Sequence, residues 1–140
     1  QAASHSDADW GNTYAEVDFG AQHVYMYENR ALTWDAPCVT GNVSKNYTTP
    51  EGIYSLTYKQ ADRVLRGAKQ ADGTYEYESH VDYWMPFNGG IGFHDASWRS
   101  KFGGTIYQYS GSHGCINLPV DKAKLLYEKV YKGMPVLCHN

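Results

Sequence analysis

The chain has 140 residues, enough for one hydrophobic core and too few for two ordinary domains. Hydrophobic residues make up 42% and charged residues 19%, a globular balance. Its 12 basic and 15 acidic side chains give a formal charge of −3 with no basic block, so nucleic acid and anionic lipid lack the field they would need, and no apolar run is long enough to span a bilayer.

Residues 1–12 are small and polar, with Ser4, Ser6, Asp7 and Asp9, and read as a linker or frayed end; residues 13–140 form the expected single domain. The start Gln1-Ala2-Ala3-Ser4 carries neither an initiator methionine nor a signal-peptide core, and reads as that of a processed or excised domain. From Tyr14 the pattern is that of strands, which suits a chain with 13 tyrosines and 4 tryptophans. Strands are expected at 14–19, 23–27 and 31–34, with Glu28-Asn29-Arg30 as a tight turn. Thr40-Gly41-Asn42 and Thr49-Pro50-Glu51-Gly52 punctuate the next stretch. Further strands are expected at 53–59, 75–80 and 83–87, around an Ala71-Asp72-Gly73 turn, and Ile91-Gly92-Phe93 has strand character. One helix is expected over 120–132: Ala123, Leu126, Tyr127 and Val130 share a face, Pro119 and Asp121 suit its start, and Gly133 stops it. Residues 136–138 close the fold as a strand.

The chemistry concentrates in Ser112-His113-Gly114-Cys115-Ile116-Asn117, with His94 in Gly92-Phe93-His94-Asp95. A thiol becomes a nucleophile when an imidazole takes its proton or holds it as thiolate, and its attack needs N–H groups aimed at the oxyanion. Gly114 lets a carbonyl approach the main chain and lets successive amides converge. A lone cysteine is more often an inert small hydrophobe, but Cys115 lies in a glycine-rich turn before a helix, a poor setting for core packing. A lone His94 would more often be structural; its place after a strand gives its ring a fixed direction. His113 could bond the nearby backbone, donate to the oxyanion or stabilise the turn. His94, His113 and Cys115 are also acceptable zinc ligands, yet no metal-site spacing is present, and a papain-like order would put the cysteine first. The three cysteines, Cys38, Cys115 and Cys138, leave an odd thiol; a Cys38 to Cys138 bridge and two reduced buried cysteines both stay open.

Gly92-Phe93-His94-Asp95-Ala96-Ser97-Trp98, Gly103-Gly104 and Gly111 to Pro119 resemble the signature of the L,D-transpeptidase catalytic domain, the YkuD family, and the likeness extends over roughly residues 14–138. It implies a mainly β fold, a bent sheet or sandwich with one helix and a lid over the active site. It implies Cys115 as nucleophile and His94 as base, the base being oriented by a backbone carbonyl rather than by the Asp95 side chain, with the amides of Cys115 and Gly114, and His113, as oxyanion donors. Peptidoglycan stem peptides would be the substrate: the donor tetrapeptide loses its terminal D-alanine and passes to an acceptor side-chain amine in a 3→3 cross-link. The rivals are an L,D-carboxypeptidase and a non-catalytic wall-binding module of the same fold. No cofactor or metal is expected. Carbapenem-type β-lactams should acylate Cys115, the domain should be a monomer, and its place should be extracytoplasmic, at the cell wall or surface, within a membrane-anchored or secreted parent. Trp98, Arg99, Ser112, Asn117, Tyr83 and Asp95 are the candidate substrate contacts, Arg99 for a donor carboxylate. Trp84, Met85 and Phe87 could line the tunnel or simply fill a β core.

Overall fold

The computed structural model describes residues 12–140, so the expected linker lies, apart from Asn12, outside the described residues. Among the described residues nine strands form two sheets. The first holds β1 (Tyr14–Asp18), β2 (His23–Glu28), β3 (Ala31–Pro37), β4 (Gly52–Ser55) and β9 (Pro135–His139), in the order β3-β2-β1-β9-β4. The second holds β5 (Gln60–Arg66), β6 (Glu78–Asn88), β7 (Ile91–Asp95) and β8 (Ile116–Leu118), in that order. Helices α1 (Ile106–Ser110) and α2 (Val120–Lys129) complete the chain. Among the described residues no helix is long and apolar enough to cross a membrane.

Alternation explains the first sheet. Val24 and Met26 of β2 and Trp34 and Ala36 of β3 point into the core, while their neighbours face outward. β1 lies between β2 and β9, and four of its five residues are buried. The β2–β3 turn is tight because Asn29 and Arg30 both adopt positive φ, 50° and 67°, which matches the right-handed twist of the flanking strands. One core joins the two sheets: Val17, Val24 and Met26 meet Met85, Phe93, Ile116 and Leu118, with Ala123 and Leu126 of α2 closing the group.

Four expected elements differ. The stretch expected as one strand over 53–59 is split between β4 and an irregular segment, and β5 follows it. The strands expected at 75–80 and 83–87 are one strand, β6, whose first half pairs with β5 and second half with β7. Helix α2 ends at Lys129 because Val130 turns to extended φ and ψ, −76° and 156°, although its side chain stays buried. The short α1 had no counterpart among the expected elements; it contains no buried residue and so no apolar stripe to read.

Candidate active site

β7 and β8 run parallel, with Phe93 opposite Ile116 and His94 opposite Asn117. Parallel neighbours require a crossover connection. Here that connection, residues 96–115, carries α1, Trp98, Arg99, Ser112, His113 and Cys115. Cys115, two residues before Asn117, falls on the same sheet face as Asn117 and therefore as His94. All three line one cavity of about 210 Å³, together with Trp98, Arg99, Ser112 and His113. Its remaining wall comes from Gly111 and from Leu65, Tyr77 and Ser79 of the β5–β6 hairpin, which thus forms a roof.

His94 is 4% exposed, and its ring is flanked by Trp84 and Trp98 at centroid distances of 6.0 and 5.9 Å. Nδ1 lies 2.7 Å from the Asp95 carbonyl, so that nitrogen carries the proton and donates it. Nε2 then holds a lone pair, which accepts from Asn117 Nδ2 at 3.3 Å. Asn117 is turned that way round because its Oδ1 accepts from Arg99 Nε at 2.8 Å, while Arg99 Nη1 donates to the Ser110 carbonyl at 2.8 Å. Burial pushes the imidazole below its usual range, outweighing the bond to the Asp95 carbonyl.

Cys115 is partly exposed, and its Sγ donates to the Gly90 carbonyl at 3.4 Å. Burial pushes the thiol up to about 11, against a stabilising contact from the Gly92 N–H. Both shifts favour neutral forms, so the resting pair is thiol and imidazole rather than thiolate and imidazolium. Gly114, at φ 129°, gives the nucleophile loop a turn that side chains resist. Ser112 Oγ clamps that loop: it accepts from Gly114 N at 3.1 Å and donates to the Cys115 carbonyl at 2.5 Å. Thr49 holds it from behind, donating from Oγ1 to the Gly114 carbonyl at 2.6 Å and accepting from Gly41 N at 2.9 Å.

Several candidate residues stand elsewhere than expected. Gly114's amide is engaged by Ser112, which removes it as a ready oxyanion donor. Asp95 is 3% exposed, its carboxylate accepts from the backbone N–H groups of Asp82 and Tyr83 at the end of β7, and it does not line the cavity. The Tyr83 ring packs against Tyr127 of α2 at 5.2 Å, away from the cavity. Trp84, Met85 and Phe87 are core residues, at 3%, 0% and 4% exposure. The His113 ring lies between Tyr47 and Tyr77, at 4.6 and 4.5 Å. Among the described residues no group of three or more His, Cys, Asp or Glu side chains is placed to hold a metal ion. Cys38 and Cys138 are free, buried thiols. The residues not singled out from the sequence are Leu65, Tyr77, Ser79 and Thr49; the aromatic pair Tyr75 and Tyr77 after the Gly73 turn was the available signal for the first group.

A β domain that brings a backbone-oriented histidine on one strand and a cysteine just before the neighbouring parallel strand into one roofed cavity fits an acyltransferase scaffold. The chain belongs to the YkuD family of L,D-transpeptidase catalytic domains, whose model matches residues 12–138. Among solved structures it is similar to a cysteine-to-serine mutant of the Enterococcus faecium L,D-transpeptidase, at 37% identity and TM-score 0.84, covering 93% of this chain and 50% of that one. It is also similar to the catalytic domain of the E. faecium L,D-transpeptidase acylated by ertapenem, at 40% identity and TM-score 0.78, covering 91% of this chain and 97% of that one. An L,D-transpeptidase from Mycobacterium smegmatis shares the fold at 23% identity and TM-score 0.76, over 92% of this chain and 59% of that one. The chain thus spans about half the length of the longer E. faecium protein and nearly all of its catalytic domain. The curated protein sequences give no match.

Proposed function

We propose that this domain is a peptidoglycan L,D-transpeptidase that works through an acyl-enzyme at Cys115. The observation that carries the reading is the His94 ring: its Nδ1 proton is tied to the Asp95 carbonyl, so Nε2 is the basic nitrogen, held by a long 3.3 Å contact to Asn117 Nδ2 in the cavity that Cys115 also lines. As the sulfur attacks the carbonyl of the third stem residue, the thiol proton passes to Nε2 and the S–C bond forms. The amide of Cys115 stabilises the oxyanion. The C–N bond to the terminal D-alanine then breaks, and His94 returns the proton to the departing amine. An acceptor side-chain amine attacks the thioester, gives its proton to His94 and frees the thiol, leaving a 3→3 cross-link.

Trp98, at 52% exposure beside His94, offers a flat face to the aliphatic part of the donor, and the Arg99 guanidinium supplies positive charge to a donor carboxylate. Carbapenems, one of which acylates the similar E. faecium catalytic domain, are the expected covalent inhibitors. The domain acts as a monomer outside the cytoplasm, in a wall-facing parent. Mass analysis of products from disaccharide tetrapeptide, with and without an acceptor amine, tests the reading. Loss of D-alanine with a cross-linked product supports it; hydrolysis alone would make the domain an L,D-carboxypeptidase. Loss of terminal D-alanine by Cys115→Ala, or no turnover and no carbapenem adduct by the wild type, sinks it, the latter in favour of a wall-binding module.

A further inference from the structure

The hairpin that roofs the cavity has little to hold it down. Most residues of β5 and of the connection over 67–77 are exposed, and the pairing of β5 is to β6 alone. At its far end one set of contacts reaches back to the body of the domain. The His113 ring, on the nucleophile loop, packs against two others: Tyr77 of the hairpin at 4.5 Å and Tyr47 at 4.6 Å, with tilts of 38° and 34°. His113 Nε2 also lies 4.0 Å from Glu76 Oε1, and the Tyr47 hydroxyl donates to Glu76 Oε2 at 3.5 Å. Tyr47 is itself anchored, its N–H donating to the Asn42 carbonyl at 2.8 Å.

We propose that His113 is a positioning residue that clasps the hairpin over the catalytic cavity, through the Tyr47–His113–Tyr77 ring stack. Tyr77 is the link between clasp and site, because the same side chain that stacks on His113 lines the wall of the Cys115 cavity. Closing the roof excludes water from the thioester and fixes the wall against which the donor peptide lies. The ring's contribution is its flat face, so its proton and its nitrogens are dispensable in this role. The clasp deepens the acyl-transfer reading, but its structural half stands without it.

Two readouts separate the possibilities. Hydrogen exchange of the free domain is followed at the amides of Gly67, Gln70 and Glu76, which bond within the hairpin to Tyr77, Thr74 and Ala68. Carbapenem acylation of Cys115 is followed by mass in parallel. His113→Ala should speed exchange at those amides by up to about tenfold, the scale expected for losing the one His113–Tyr77 ring contact, and slow acylation to a similar extent. His113→Phe, which keeps a flat ring and has no titratable nitrogen, should recover most of both. Tyr77→Ala should match His113→Ala, and the double variant should be little worse than either, since both remove one contact. Unchanged exchange in His113→Ala overturns the clasp. So does a His113→Phe variant as slow in acylation as His113→Ala with its hairpin protected, since that result assigns the nitrogens to the chemistry. Failure of the acyl-transfer reading looks different: the wild type itself would give no adduct while the exchange differences persisted.

Discussion

The two nitrogens of His94 have separate tasks, and the pH dependence of the site follows from them. Nδ1 keeps its proton for the Asp95 carbonyl, and burial lowers the pKa of the ring, favouring its neutral form. Burial also keeps Cys115 protonated, up to about 11. Acylation should therefore rise with pH as His94 loses its proton, at a midpoint below the ordinary histidine value of about 6.5. It should then stay flat past about 8.5, where an unperturbed thiol would ionise, and climb again only towards about 11. A pH series of carbapenem acylation rates checks this, and a rate step near the ordinary thiol value would contradict the neutral pair. His94→Gln should slow acylation by about 10² to 10⁴. At this scale the sequence was informative about the dyad and poor on its surroundings. Cys115 and His94 sit in motifs whose glycines announce tight turns, whereas Gly114's engagement with Ser112 depends on loop geometry that no spacing reveals.

At the scale of elements, β6 is the piece that could not be read. Residues 78–88 form one strand only because it changes partner near Trp84, from β5 on one side to β7 on the other. Its first half faces solvent beside the charged β5 (Gln60 to Arg66), and so lacks the alternation of β1 and the aromatic, β-branched or apolar runs by which β2 and β9 were legible. The junction is secured by Asp95, whose carboxylate receives the Asp82 and Tyr83 amides at 2.8 to 3.0 Å. A charged acceptor for two backbone donors is worth about 1.5 to 3 kcal/mol for each bond, and removal leaves those donors unpaired. Asp95→Ala should thus lower unfolding stability by roughly 3 kcal/mol or more in urea titrations, with faster exchange at the Asp82 and Tyr83 amides. Asp95→Asn should cost less, since one oxygen remains. A substrate contact would behave otherwise, raising KM at unchanged stability, and that outcome would return Asp95 to the binding site.

Across the whole molecule, the first and last described strands pair in parallel, Ala15 with Val136 through Asp18 with His139, and the Phe19 amide donates to the His139 carbonyl at 2.8 Å. Tying the ends into the central sheet makes the shared core a single cooperative unit, and two of its members are thiols. Cys38 and Cys138 are 0% and 3% exposed; burial pushes Cys138 up to about 12 and Cys38 higher still. Above about pH 8.5 the unfolded chain therefore loses thiol protons that the folded chain keeps. Fewer protons bound in the unfolded state means that stability falls as pH rises, by up to about 1.4 kcal/mol per pH unit for each thiol. Cys115, pushed up to about 11, adds a third share. Near about pH 9.5 the three thiols together should contribute a slope approaching about 4 kcal/mol per unit under reducing conditions, and the tyrosines that desolvation pushes up, Tyr25, Tyr27, Tyr54 and Tyr77, add to it as the pH nears about 10. Replacing both buried thiols, Cys38→Ala with Cys138→Ala, opens cavities and lowers stability at every pH, yet it should remove about two thirds of the thiol contribution to the slope, because one raised thiol of three remains while the tyrosines are common to both proteins. Urea titrations of the two proteins across that window measure the slope directly. An equal slope in both would mean that the two sulfurs ionise alike in the folded and unfolded chains, and hence that the interior around them is open to water.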